Sequence, residues 1–191
     1  MIAFADWQAY TWKNELRLHA ERVLTSLAEI VDPDYAGDHN PHHMLERAMA
    51  LSAFCIRRMH EKRLVTDSFR SEKISVRSFL ALKDDFRPPF HSSSGGRAFT
   101  NYDLTKPVWV QLGRNDVANQ IIHSSQLMVA IGEENIEDGI MVASDWSLKV
   151  RLLHITAAEW TALYSSVLDN NVRMQTDAWN PETGEVSSIR D

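Results

Sequence analysis

Apolar residues in the first part of the chain recur at helical spacing. Leu16, Ala20, Val23, Leu27 and Ile30 follow one another at steps of four, three, four and three, which places them on one helix face. Asp32-Pro33-Asp34 ends that run, because a proline disfavours helical geometry in the residue before it and has no N–H to donate. After a polar loop, Asn40 and Pro41 read as the N-cap and first position of a second helix. That helix is expected over about 42–63, with Leu45, Ala48, Ser52, Cys55 or Ile56, and Met59 as its stripe. Residues 64–76 either continue it or break at Thr66-Asp67-Ser68. From Ile74 to Leu82 apolar and polar positions alternate, the period of a strand.

The second half changes character. A short strand is expected over 107–112, then a helix over about 116–125. Apolar runs at 127–131 and 139–143 predict a hairpin, and 150–155 a further strand. Thr156 with Glu159 three positions on is a capping box, opening a helix that runs to about 169. Residues 180–185 read as the turn of a terminal hairpin within 172–191. The class is therefore α+β: N-terminal helices, a C-terminal mostly antiparallel sheet and a late helix, in a single domain over 1–191.

Composition narrows this picture. The chain has 191 residues, 44% hydrophobic and 24% charged, enough apolar material for a real core, which excludes disorder of the whole chain. No apolar stretch approaches the ~20 residues that a bilayer span needs. The start has no basic segment followed by an apolar run, so no secretory signal is expected. The one cysteine, Cys55, has no partner for an internal disulfide, and a cytoplasmic location is expected. Around 84–101, Pro88-Pro89 and Ser92-Ser93-Ser94-Gly95-Gly96 favour a mobile surface loop. It lacks the Gly-x-x-x-x-Gly-Lys order of a phosphate cradle.

Charge is unevenly placed. Between Arg57 and Arg77 seven basic residues face three acids, whereas from Gly132 onward four basic residues face eleven acids. The basic segment holds Arg57, Arg58, Lys62 and Arg63, candidates for a phosphate-facing patch; the plainer reading is a solvated helix face. Asp34, Asp38, His39, His42 and His43 are dense in potential metal ligands, but no second cluster is spaced to complete a site. A solvated loop is the expectation, with no metal and no cofactor.

The segment from Gly113 to Ser124 carries the candidate chemistry. On a helix, Asp116, Asn119 and His123 stand at i, i+3 and i+7 and share a face. An imidazole steadied by an amide works as acid or base near neutrality, its unperturbed pKa being ~6.5. Arg114 lies nine residues before His123, on the opposite side of an ideal helix. As a plain alternative, Asn119 and His123 form a structural pair that does no chemistry.

Asn119-Gln120-Ile121-Ile122-His123 resembles the end of the Arg-Asn-x-x-x-His signature of the HEPN superfamily, a helical nucleotide-binding and ribonuclease fold of many toxin and phage-defence proteins. The helix around 45–59 is also similar to the long helices of such proteins. The resemblance covers about a dozen residues and departs at Ala118, where the family has its arginine, and at the strands after Ser124. It implies metal-independent RNA cleavage, with His123 as acid/base, Asn119 orienting it and Asp116 on the same row. Together with the basic segment, it leads to the expectation of RNA or nucleotide binding along Arg57, Arg58, Lys62, Arg63 and Arg114, and of a homodimer. Alanine supplies neither charge nor donors for a phosphorane-like transition state, so a guanidinium would have to come from Arg57, Arg58 or a second subunit. The alternative is a degenerate, non-catalytic relative or an interaction module with an acidic C-terminal half.

Overall fold

A computed structural model describes residues 4–82, 101–132 and 137–191. Most of the loop expected over 84–101 lies outside them. Two long helices open the fold, α1 (Phe4–Val31) and α2 (Pro41–Glu61). The Asn40 side chain caps α2 by accepting from the backbone N–H of His42 at 2.9 Å and of His43 at 3.4 Å. Two of the helix's free N–H groups are thereby satisfied.

The second helix stops earlier than its periodicity suggests. Arg63 takes a left-handed φ of 54°, and the Leu64 N–H turns back to the Met59 carbonyl at 2.8 Å. This closes the helix in the manner usually given to glycine. A one-turn helix α3 (Asp67–Ser71) follows, capped by Thr66, and resolves the ambiguity over 64–76 as a break.

Five of the described strands form one antiparallel sheet. Its members are β1 (Lys73–Leu80), β2 (Val108–Gly113), β3 (Ser124–Ile131), β4 (Glu137–Ser144) and β5 (Arg151–Ile155), in the spatial order β2-β1-β5-β4-β3. Every neighbouring pair is antiparallel. The α+β class with early helices, this sheet and a late helix is the architecture observed.

One connection organises the molecule. β2 and β3 are successive in sequence yet occupy opposite edges of the sheet. The segment between them, α4 (Arg114–Ile122), carries the chain across the sheet's face beneath α2. Five strands at ~4.8 Å spacing make a sheet about 19 Å wide, and nine helical residues supply about 13 Å of the crossing. The helix opens at Gly113, whose N–H is accepted by the Asp116 carboxylate at 3.1 Å. It ends at His123, which has left helical geometry at φ −102° and ψ 24°. Ser124 and Ser125, expected on the helix, begin β3 instead, because Ser124 is already in register with Ser144.

Burial follows from this layering. On the helical side, Val76, Ile140, Val142, Leu153 and Ile155 meet residues of α1, α2, α4 and of α5 (Ala157–Asp169). On the other face Phe79, Met141, Ala143 and Leu152 form a smaller cluster with Tyr102 and Leu148. The Tyr102 hydroxyl donates to the Leu148 carbonyl at 2.7 Å, and burial pushes its pKa to about 12. Both faces of β4 are thus covered, so its sequence is an unbroken apolar run rather than an alternating one.

Two contacts seat α5. The Trp160 side chain is fully buried, and its indole N–H donates to the Ala20 carbonyl at 3.3 Å. Lys13 of α1 donates its ammonium to the Leu168 carbonyl at 2.7 Å and the Asn170 carbonyl at 2.6 Å, closing the C-terminal end of α5. Beyond it, β6 (Gln175–Trp179) and β7 (Val186–Arg190) pair as a separate two-stranded ribbon. Among the described residues no helix is long and apolar enough to cross a membrane.

Replacing Trp160 by alanine should lower the unfolding free energy by about 3–5 kcal/mol, the cost of an emptied aromatic site. Trp160→Phe should cost clearly less. Urea titrations followed by circular dichroism measure the difference.

Candidate functional site

The crossing helix and its C-cap carry the motif residues, and the packing of the helix decides where each one lies. Val117, Ala118 and Ile121 are buried in the main core, Ala118 at 1% exposure. The position at which the HEPN signature has its arginine is therefore an interior site. A guanidinium there would be desolvated within an apolar layer. Asn119 is half-buried, and its Oδ1 has no hydrogen-bond partner.

His123 stands apart from that layer. It is exposed, its backbone N–H closes α4 on the Asn119 carbonyl at 3.1 Å, and its ring lies 4.7 Å from that of Trp146 at 51°. Asp145 joins them, since its N–H donates to the His123 carbonyl at 3.2 Å. The Asp145 carboxylate accepts from the Ser125 hydroxyl. The Ser, His and Asp types are present, but the serine bonds directly to the aspartate and the imidazole leans on an indole. That order does not build a nucleophile–base relay, in which the imidazole must stand between the other two. What remains is an open imidazole in an aromatic, acidic corner.

Asp116, expected to share a face with Asn119 and His123, is spent on the helix start. Its carboxylate holds Gly113. The row Asp116, Asn119 and His123 is thus one cap, one half-buried amide and one residue past the helix end. Gln120 is the polar side chain of this helix that sequence reasoning passed over. Its Oε1 accepts from the hydroxyls of Ser144 and Ser147, each at 2.7 Å, and so pins α4 to the turn that carries Trp146.

The basic segment does not gather into a recess beside His123. Arg57 and Arg58 both pair with Glu61, at 2.7 and 3.4 Å. Arg63 and Arg70 both pair with Asp67, at 2.8 and 3.1 Å. Asp67 is held below the usual carboxylate range chiefly by the hydrogen bond from Arg63. Lys62 is exposed at the end of α2. Among the described residues no arginine or lysine side chain bonds to His123.

Arg114 has a different fate from a phosphate ligand on a surface. It is 6% exposed and lies against the Phe69 ring, with its guanidinium carbon 3.9 Å from the centroid. Its Nη1 pairs with Glu72 at 2.9 Å and its Nε donates to the Ser166 hydroxyl at 3.3 Å. Nearby, at the last turn of α2, His60 has a pKa lowered first by burial, then by the charge of Arg70. Asp116 pulls the other way, and Arg114 adds to the lowering.

The other candidates stay separate. His39 approaches Glu29 at 3.5 Å, beside the Arg22–Glu29 pair at 2.9 Å. Among the described residues no group of three His, Cys, Asp or Glu side chains converges on a metal site. Cys55 is buried, and burial raises its thiol to about 11, so at neutral pH it is not a nucleophile. Comparison of the chain with known protein families, characterised proteins and solved structures returns no match.

The depressed pKa of His60 has a definite sign for stability. Well above the ordinary imidazole value of 6.5 the ring is neutral in both states. As pH falls through that value the unfolded chain takes up the proton first, so stability drops until the folded pKa is passed. His60→Gln should flatten this acid slope below about pH 6.5, read from urea midpoints at a series of pH values.

Proposed function

We propose that this chain is a non-catalytic interaction module whose acidic C-terminal ribbon meets a protein partner. The observation that carries this reading is the exposure of that ribbon. Trp179 and Val186, which face each other across the two strands, are each 66% exposed, and Ile189 and Met174 are 56% and 58% exposed. A lone two-stranded hairpin is marginally stable in water, and large apolar side chains left open on such an arm favour a binding role.

The arm is nonetheless held in one place. Arg63 donates to the Ser188 carbonyl and Arg190 donates to the Arg63 carbonyl. The Arg190 N–H is accepted by Asp67 at 3.0 Å. The left-handed backbone at Arg63 costs roughly 1 kcal/mol for a residue with a side chain. A glycine there would remove that cost and lose the latch. The acids Asp177, Glu182, Glu185 and Asp191 give the arm a negative surface, so its partner presents basic groups around an apolar patch.

A photo-crosslinking residue at position 179 should yield one discrete protein adduct in cells. Reversing Glu182 and Glu185 to lysine should remove it. A smear that is insensitive to charge reversal would defeat the reading.

The competing reading, a metal-independent endoribonuclease of HEPN type acting as a homodimer, rests on the openness of His123. Among the described residues no guanidinium bonds to His123 to balance the charge that would develop at phosphorus. Purified protein incubated with total RNA and a chelator should therefore cleave no faster than His123→Ala, as followed on denaturing gels. Cleavage abolished by His123→Ala would establish the nuclease instead.

A further inference from the structure

A cleft of about 220 Å3 lies between the sheet and α5, away from both His123 and the C-terminal ribbon. Its walls are apolar, with Val76, Val117, Ile155 and Leu163 among them. Its two ends are not. Glu159, Ala162, Leu163 and Ser166 line it from one face of α5, and the eight residues from Glu159 to Ser166 span two helical turns, about 10 Å. Arg114 bonds to Ser166, so the guanidinium marks the Ser166 end. The Glu159 carboxylate marks the other, where it accepts the Thr156 N–H at 2.8 Å. That volume over that length is a slot about one hydrocarbon chain wide.

The arginine is the feature that asks for a ligand. It is more than nine-tenths buried, and its charge partner among the described residues, Glu72, is a carboxylate 59% exposed to water. Nε and Nη1 have acceptors, whereas none of the described residues accepts from Nη2. Nη2 is therefore the donor left for an incoming acceptor. The Phe69 ring and Ser166 fix the guanidinium plane before anything binds, so little entropy is lost on capture.

We infer that this slot binds a small monocarboxylate with a linear apolar body, its carboxylate on Arg114 and its tail running toward Glu159. The fixed Glu159 charge at the far end rejects a second carboxylate and so sets the specificity for one. This inference is independent of the interaction-module reading.

Isothermal titration with octanoate, octan-1-ol and suberate tests it on the full chain. Octanoate should bind at one site, and both the alcohol and the dicarboxylate at least about tenfold more weakly. Arg114→Gln should weaken octanoate by a similar factor. Since that variant removes a core contact, Ala162→Phe is the second: position 162 is exposed on α5 and the ring fills the slot from outside. It should abolish octanoate binding while leaving the melting temperature unchanged. No heat up to about 10 mM octanoate, equal binding of the alcohol or of suberate, or octanoate binding that survives Ala162→Phe would each overturn the inference.

Discussion

The fold depends on a single crossing. Because β2 and β3 sit on opposite edges of the sheet, the nine-residue α4 must traverse the sheet's face, and α2 lies over it. A helix wedged between a sheet and another helix has no free face along its middle, only exposed ends. That geometry makes Ala118 an interior residue, sends Arg114 inward at one end and leaves His123 outside at the other. The polar side chains of one short helix are thereby dealt into three environments.

The extent to which this was legible in the sequence follows from the range of the forces involved. Elements set by local chemistry are visible in the letters. Asn40-Pro41 caps α2, and the Thr156–Glu159 box opens α5 with both reciprocal bonds formed. Boundaries set by tertiary contacts are not visible. The end of α2 depends on Arg63 reaching the ribbon across 125 positions of sequence, and the end of α4 depends on Ser124 finding Ser144. The placing of His123 at the cap of α4 was hidden for the same reason, since helical spacing says nothing about where a helix is made to stop. Nothing in residue type separates a buried arginine from an exposed one. Its nearest signal was the apolar content of the flanking strand and helix.

Charge behaved in a similarly local way. The excess of basic residues between Arg57 and Arg77 reads as a phosphate-facing patch when counted. In the fold Glu61 and Asp67 each hold two arginines. Exposed pairs of this kind contribute little stability each. They do spend the guanidinium donors that a phosphate would need. A net charge over twenty residues is thus a weak guide to a site, because intervening acids at positions i+3 and i+4 decide which cations remain open.

Arg114 is the exception, and the contrast identifies what is unusual about it. The surface arginines have carboxylates of similar exposure beside them, so both partners remain partly hydrated and losing the pair costs little. Arg114 has given up almost all its water for Ser166, Phe69 and Glu72, and of these the anion is a carboxylate that has kept most of its own water. Desolvation of a cation grows with burial while attraction to a hydrated anion is screened, so that pair is poorly balanced as a purely structural device. A full apolar replacement at the position would serve packing at least as well. Retaining a rigid guanidinium with Nη2 open at the end of an apolar slot makes physical sense when a second anion completes its coordination.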